Sequence, residues 1–432
     1  MAPFVTPDAF FDGVARDHWL ARPGVWRTPF AQPYASEADV FAALVALRVR
    51  FEHGDDLPAP RVFSGDRPIG FSFERHLPTP DDLDLEGFET RLRSERKGSD
   101  TGMVLGDAAS LTPFLWHRAC QFLKALYARV GMVSGGAHAE VFFGDYEKSF
   151  FGVHKDRLET FTFVIRGRKR FLAWPMEALA EEAGLSPEAT LHALNFDALD
   201  LEPHRAQAIV LEGGPGDVMF WPASYWHVAE QAEPGFVTTL TLALAPSTML
   251  AAGSPLRLAA EGFDEAGRDG YYTVEPNLPV PGDMNSARRG VDLCEEALWR
   301  TLEDPRFIRA RRNAALQWIS AMGFKRGPER LEIPKLIPDD RLEVMSPVLY
   351  EDVGEDSLMC ATNGMLLESL PSFLPLVEAI NAAPGRSFTV AELLATHAGG
   401  EGQPSPEELV EALAHLVASH ALVPVSKAPW ER

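Results

Sequence analysis

Two stretches of this chain carry side chains whose types and spacing could do chemistry together: Gly152-Val153-His154-Lys155-Asp156, and Gly216-Asp217-Val218-Met219-Phe220-Trp221-Pro222 running on to Tyr225-Trp226-His227. In a strand, residues i and i+2 point to the same side. At the usual rise, the Cα atoms of His154 and Asp156 lie about 6.6 Å apart. An imidazole and a carboxylate so placed can converge on one metal ion. A third ligand must then come from another strand, and His227 ends one after Pro222. Two histidines and one carboxylate hold one face of an octahedron and leave three positions open, the donor set of a non-haem Fe(II) oxygenase.

The tripeptide alone decides nothing. With 12 His and 62 carboxylates in 432 residues, composition predicts about 1.7 His-x-Asp/Glu matches by chance. There are three: His53-Gly54-Asp55, His138-Ala139-Glu140 and His154-Lys155-Asp156. His53 sits in a Gly/Asp/Pro-rich loop and reads as a surface histidine. His138 enters a strand and is an alternative ligand. His154 and Asp156 lie together within a predicted strand, where both face the same side.

Lys169 follows His154 by 15 residues, beyond the Arg166-Gly167-Arg168 break. That break reads as a tight hairpin, carrying the chain back beside the metal strand. A lysine facing a barrel interior is costly to bury without an anion. A dicarboxylate that chelates the metal at one end and pairs with Lys169 at the other supplies it. The alternative is a lysine pointing outward with Arg168 and Arg170, and strand parity leaves both open until the register is known.

These residues need a rigid frame. Strand patterns run through 139–143, 150–156, 160–165, 170–173, 208–211, 218–221 and 237–244, with a helical insertion over about 176–195. Clustered strands joined by short turns predict an antiparallel barrel or double-sheet jelly roll. Helices precede it, one opened by Ser36-Glu37-Ala38-Asp39 and one over 112–130. Beyond 250, residues 284–323 read as helical, 347–367 as a hairpin across Thr362-Asn363-Gly364, and three helices near 373–382, 390–396 and 407–420 are closed by a strand at 421–425. Ser405, Pro406 and Glu408 form a helix-start signal for the last of these helices. The expected units are a catalytic domain over 1–250 with an N-terminal helical segment, a helical region over 251–345, and a winged-helix-like domain over 346–432.

Composition narrows the setting. Hydrophobic residues at 46% and charged residues at 24% are those of a globular chain. The net charge of −22 repels nucleic acid and favours cationic partners. Glu407 to His420 holds three glutamates and no Lys or Arg, so direct DNA binding is not expected from that helix. No apolar run is long enough to span a bilayer. The start lacks a basic n-region, and Cys120, Cys294 and Cys360 are too scattered for a disulfide framework, which points to a cytoplasmic setting.

On these residues the chain resembles the JmjC/cupin-type Fe(II)- and 2-oxoglutarate-dependent oxygenases, in particular their bacterial ribosomal-oxygenase-like branch. The resemblance implies a mainly β catalytic core of double-stranded β-helix (jelly roll) form with flanking helices. It implies Fe(II) held by His154, Asp156 and His227, with Lys169 binding the distal carboxylate of the co-substrate 2-oxoglutarate. Gly216-Asp217, Pro222 and Trp226-His227 match the second-histidine motif, and His18-Trp19 to Pro23 with Arg27-Thr28-Pro29-Phe30 resembles the N-terminal segment. Val164, Phe171 and Lys155 depart from the family pattern. Thr160 and Thr162 share the ligands' parity and are candidates to hydrogen-bond 2-oxoglutarate or substrate, or are ordinary strand residues. Phe151, Trp221, Tyr225 and Trp226 are candidate walls. The implied reaction is hydroxylation of a residue in a protein or peptide, a basic one suiting the charge, with succinate and CO2 as co-products. Alternatives are a hydroxylase of a small peptide or amino-acid natural product, and a metal-binding cupin without oxidase activity. The resemblance implies a homodimer interface in the helical middle; the alternative is simple packing of that region onto the barrel.

Overall fold

The structure, a computed structural model, describes residues 7–55, 60–64, 67–68, 76–96, 101–146, 149, 151–180, 194–196, 201–246, scattered helical positions within 288–299, 302–352 and 357–425. In chain order, the strands of the first part are β1 (Gly24–Trp26), β2 (Arg61–Ser64), β3 (Arg67–Pro68), β4 (Thr101–Leu105), β5 (Ala137–Asp145), β6 (Val153–Lys155), β7 (Glu159–Arg166), β8 (Lys169–Pro175), β9 (Leu194–Phe196), β10 (Ile209–Gly213), β11 (Val218–Trp221), β12 (Tyr225–Gln231) and β13 (Val237–Leu244). They form an eight-stranded sheet, β1-β11-β7-β13-β5-β4-β2-β3, and a five-stranded sheet, β10-β8-β12-β6-β9. The pairings are antiparallel. This is the expected double-sheet core.

The period-2 pattern sorts each strand's two faces. In β7, Phe161, Phe163 and Ile165 join the large core beneath the helices, whereas Val164 belongs to a smaller cluster with Phe171, Met219 and Trp221 between the two sheets. Thr160 and Thr162 share Val164's parity. The large core is completed by α1 (Asp8–Gly13), α2 (Glu37–Glu52), α3 (Leu85–Arg96) and α4 (Pro113–Val130). Ser36 opens α2 with a reciprocal capping box to Asp39, and Thr112 caps α4 by accepting from the Leu115 N–H. The outer face of the small sheet buries Val153, Leu172, Trp174, Trp226 and Val228 against Leu179 and Leu201.

Three expectations need correction. Gly167 does turn the chain, at φ +74°, but β7 and β8 do not pair as a hairpin: β7 lies between β11 and β13, and β8 between β10 and β12. The turn instead hands the chain from one sheet to the other, and a local turn signal is the same in both cases. The strand expected over 150–156 is confined to Val153–Lys155, with Asp156 just past its end. Of the insertion read as helical over 176–195, Met176–Leu179 is a 3-10 turn and Leu194–Phe196 is a strand paired to β6. Its residues 181–193 lie outside the described ones.

In the second part, α5 (Pro305–Ser320) precedes two three-stranded sheets. One comprises β14 (Arg341–Val344), β18 (Ser387–Thr389) and β19 (Leu422–Pro424). The other comprises β15 (Leu349–Asp352), β16 (Leu358–Thr362) and β17 (Met365–Ser369). Asn363 and Gly364, at φ +51° and +79°, make the two-residue turn between β16 and β17, the hairpin expected there. Helices α6 (Leu374–Asn381), α7 (Val390–His397) and α8 (Pro406–Ala418) pack a separate core that includes Leu342, Val377, Leu409 and Leu422. Ser405 and Glu408 form the capping box of α8. The two parts meet where the buried Trp116 Nε1–H donates to Asn363 Oδ1 at 2.9 Å, and Asn363 Nδ2 donates to the Ser419 carbonyl at 2.9 Å. No described helix is long and apolar enough to cross a membrane.

Candidate active site

Strand register brings the two histidines together. β12 pairs antiparallel with β6 so that His227 stands directly opposite His154, and their ring centroids are 4.2 Å apart. Asp156, two residues beyond His154, turns its Oδ2 to 3.8 Å from His154 Nε2 and 3.7 Å from His227 Nε2. Ligand atoms from the three residues all lie within 4.8 Å of one another, the arrangement a single ion requires. His227 is buried, while His154 and Asp156 are half-buried.

The backbone sets the chemistry of both rings. His154 Nδ1 lies 3.2 Å from the Gly152 carbonyl, and His227 Nδ1 lies 3.4 Å from the Tyr225 carbonyl. A carbonyl only accepts, so Nδ1 carries the proton in each ring and the Nε2 lone pairs face Asp156. Gly152 presents its carbonyl from φ +61°, backbone that glycine adopts without strain. Burial, and then the neighbouring His154, push the His227 pKa well below the usual imidazole value; the Tyr225 carbonyl opposes them only in part. A neutral imidazole is the form that binds metal. The donors therefore fit a divalent transition metal, and the two-histidine, one-carboxylate set suits Fe(II).

The triad opens into a cavity of about 290 Å³ between the sheets. Lys169, Phe171, Trp221, Phe151, Thr160 and Thr162 also line it. Lys169 shares the inward parity of Phe171 and is buried, 2% exposed. Its ammonium donates to Tyr146 Oη at 2.6 Å, and no described carboxylate pairs with it. A buried cation that meets a phenol hydroxyl and the rings of Tyr146 and Phe171, with no described carboxylate beside it, is suited to an incoming anion. Thr162 Oγ1 is 3.1 Å from Thr241 Oγ1, and Thr160 Oγ1 donates to the Leu158 carbonyl at 3.3 Å. Both threonines face the cavity, though each hydroxyl already has a protein partner.

Of the four aromatic walls expected, Phe151 and Trp221 line the cavity and Tyr225 and Trp226 do not. Trp226 points to the outer face of the small sheet, where its Nε1–H donates to the Met176 carbonyl. Alternation along β12 puts it on the opposite side from His227. The Trp221 indole N–H is buried without a partner among the described residues. Lys155, between two ligands, likewise faces away and packs on Met176 and Trp226. His53 and His138 are exposed and stand outside the ligand group.

Sequence reasoning missed Tyr146, Arg61 and Glu140. Arg61 pairs with Glu140 at 3.1 Å and lies over the Phe151 ring at the cavity wall. Burial raises the Glu140 carboxyl above its usual range despite Arg61, with Asp156 adding to the rise. The inward parity of Glu140 on β5 was the available signal. Nothing local marks Tyr146 or Arg61.

A carboxylate also anchors the N-terminal segment. Asp217 accepts from Arg27, from the Thr28 N–H at 3.0 Å and from the Gly214 N–H at 2.9 Å. Burial raises its pKa, but these bonds outweigh it and hold the group below the usual range. Glu159 accepts from the Leu20 N–H at 3.3 Å and the Ala223 N–H at 3.0 Å, fastening both segments near the site.

Residues 82–244 match the family model described as a Cupin-like domain, a span that contains all three triad residues and Lys169. Solved structures with a similar fold extend over nearly the whole chain. An X-ray structure of E. coli ycfD is 15% identical, with a TM-score of 0.51 over 98% of this chain and 99% of that one. A crystal structure described as the Escherichia coli ribosomal oxygenase YcfD is 17% identical, with a TM-score of 0.51 and the same coverage. At these identities the likeness is one of fold. No curated protein matches the chain in sequence.

Proposed function

We propose that this chain is an Fe(II)- and 2-oxoglutarate-dependent oxygenase that hydroxylates a residue of a protein or peptide, with succinate and CO2 as co-products. One observation carries the reading: two register-paired histidines turn their Nε2 atoms toward one carboxylate, in the same cavity as a buried lysine that lacks a described anionic partner.

His154, Asp156 and His227 would hold Fe(II), and the metal, when bound, supplies dioxygen activation coupled to decarboxylation of 2-oxoglutarate. The protein's residues do the rest. Lys169 and Tyr146 orient the far carboxylate of the diacid, Lys169 by a charge-assisted hydrogen bond. Phe171, Trp221 and Phe151 exclude water from the reacting face. Gly152 and Tyr225 hold the imidazole tautomers. Thr160 and Thr162 shape the wall beneath the co-substrate.

The polypeptide substrate rests on the resemblance and on the net charge of −22, which suits a basic partner. The fold shared with a protein described as a ribosomal oxygenase agrees with this. In the same reading, residues 346–432 form a winged-helix-like unit that serves recognition rather than DNA binding, and the helical middle serves a homodimer. The test is succinate release from 2-oxoglutarate after anaerobic loading with Fe(II). Wild type should turn over and His154→Ala should not; equal turnover in both refutes the proposal. A mass increase of one oxygen on a basic polypeptide then identifies the substrate.

A further inference from the structure

The second part of the molecule holds a groove of about 450 Å³, larger than the cavity at the triad and separate from it. Its floor is apolar: Phe373, Leu376, Val377 and Leu416 are all buried beneath it. Leu370, at the lip, is 48% exposed. The two rims have a different chemistry. Glu368 stands exposed on β17, and Glu408 and Glu411 stand exposed along α8. The rim's one arginine, Arg330, is engaged by His415 Nδ1 at 2.6 Å.

We infer that this groove binds a cationic amphipathic polypeptide segment. Apolar side chains on one face of such a segment cover the floor, while lysines or arginines on its flanks meet carboxylates on both sides. This is helix-in-groove recognition, in a volume within the range of binding clefts. Charge complementarity selects the occupant: three carboxylates against one arginine reject nucleic acid and acidic peptides and attract a basic chain. The groove is built of side chains on two helices and a hairpin that share one core, so it is present before any partner arrives.

The test uses the full chain and a fluorescein-labelled peptide of leucine and lysine in helical repeat, with a peptide bearing glutamate at every lysine position as its counterpart. Fluorescence anisotropy should show saturable binding of the lysine peptide alone. Glu368→Lys with Glu411→Lys should weaken it at least about tenfold, equivalent to about 1.4 kcal/mol. Leu370→Asp should weaken it too. Asp81→Lys with Glu86→Lys, equal charge changes at exposed positions in the first part of the chain, should leave it unchanged. The inference is overturned if both peptides bind alike, if neither binds, or if the distant reversals weaken binding as much as the rim reversals. Sedimentation that finds a wild-type dimer, a monomeric Glu368→Lys/Glu411→Lys variant and no peptide binding assigns the groove to a second copy, and overturns it as well. Circular dichroism of each variant verifies the fold. None of these readouts involves turnover, so the proposed oxygenase activity is tested independently.

Discussion

Replacing Glu159 by Gln separates a buried charge from the bonds around it. Glu159 is 1% exposed, and burial raises its carboxyl from 4.5 to about 7, although the Ala223 and Leu20 N–H groups lower it in part. A folded-state pKa above the unfolded value means that the folded chain binds the extra proton between the two. Stability is therefore greatest below the unfolded pKa and falls as pH rises toward the folded one. A tenfold change in proton affinity is worth about 1.4 kcal/mol, so the full difference is about 3 kcal/mol, of which about 2.5 kcal/mol falls between pH 5 and pH 8. Gln has no proton to lose. It costs a roughly constant 1–3 kcal/mol, because its amide nitrogen meets one of the two N–H donors. Urea denaturation of wild type and Glu159→Gln at pH 5 and pH 8 measures the contrast. Wild type should lose stability relative to the variant by about 2.5 kcal/mol across that range, since other titrating groups cancel in the comparison. A wild-type-minus-variant difference that is equal at the two pH values refutes the reasoning.

Lys169→Met should raise the KM for 2-oxoglutarate about 10- to 100-fold, the worth of a hydrogen bond to a charged group, without lowering the denaturation midpoint of the ligand-free protein. Steady-state kinetics and urea melts read the two effects separately. Co(II) at about 100 times its Kd should stabilise wild type by about 2.7 kcal/mol, while His227→Ala should gain nothing, and a chelator should reverse the wild-type gain in a thermal melt. Asn363→Ala removes two buried hydrogen bonds, orphans the Trp116 N–H and puts alanine at φ +51°. It should cost about 3 kcal/mol of stability by chemical denaturation and speed amide exchange around α4 and the β16–β17 turn.

What the amino-acid order determines alone is mostly short-range. His154 and Asp156 are two residues apart, the capping boxes at Ser36 and Ser405 lie within one turn, and the Asn363-Gly364 turn needs two left-handed residues. Each is set by backbone geometry over a few bonds. The alternation of Phe161, Phe163 and Ile165 with Thr160, Thr162 and Val164 likewise states that β7 has two different neighbours, though not which. The tertiary structure decided that. It placed His227 opposite His154 through a register between strands some seventy residues apart, sent the chain across sheets at Gly167 where a hairpin looked natural, and turned Lys169 inward to Tyr146. It also brought Arg61 to Glu140 and put Trp226 on the far face. Hydrogen-bonded pairing and the burial of one face over the other are properties of the whole packed chain, so no local window of residues contains them.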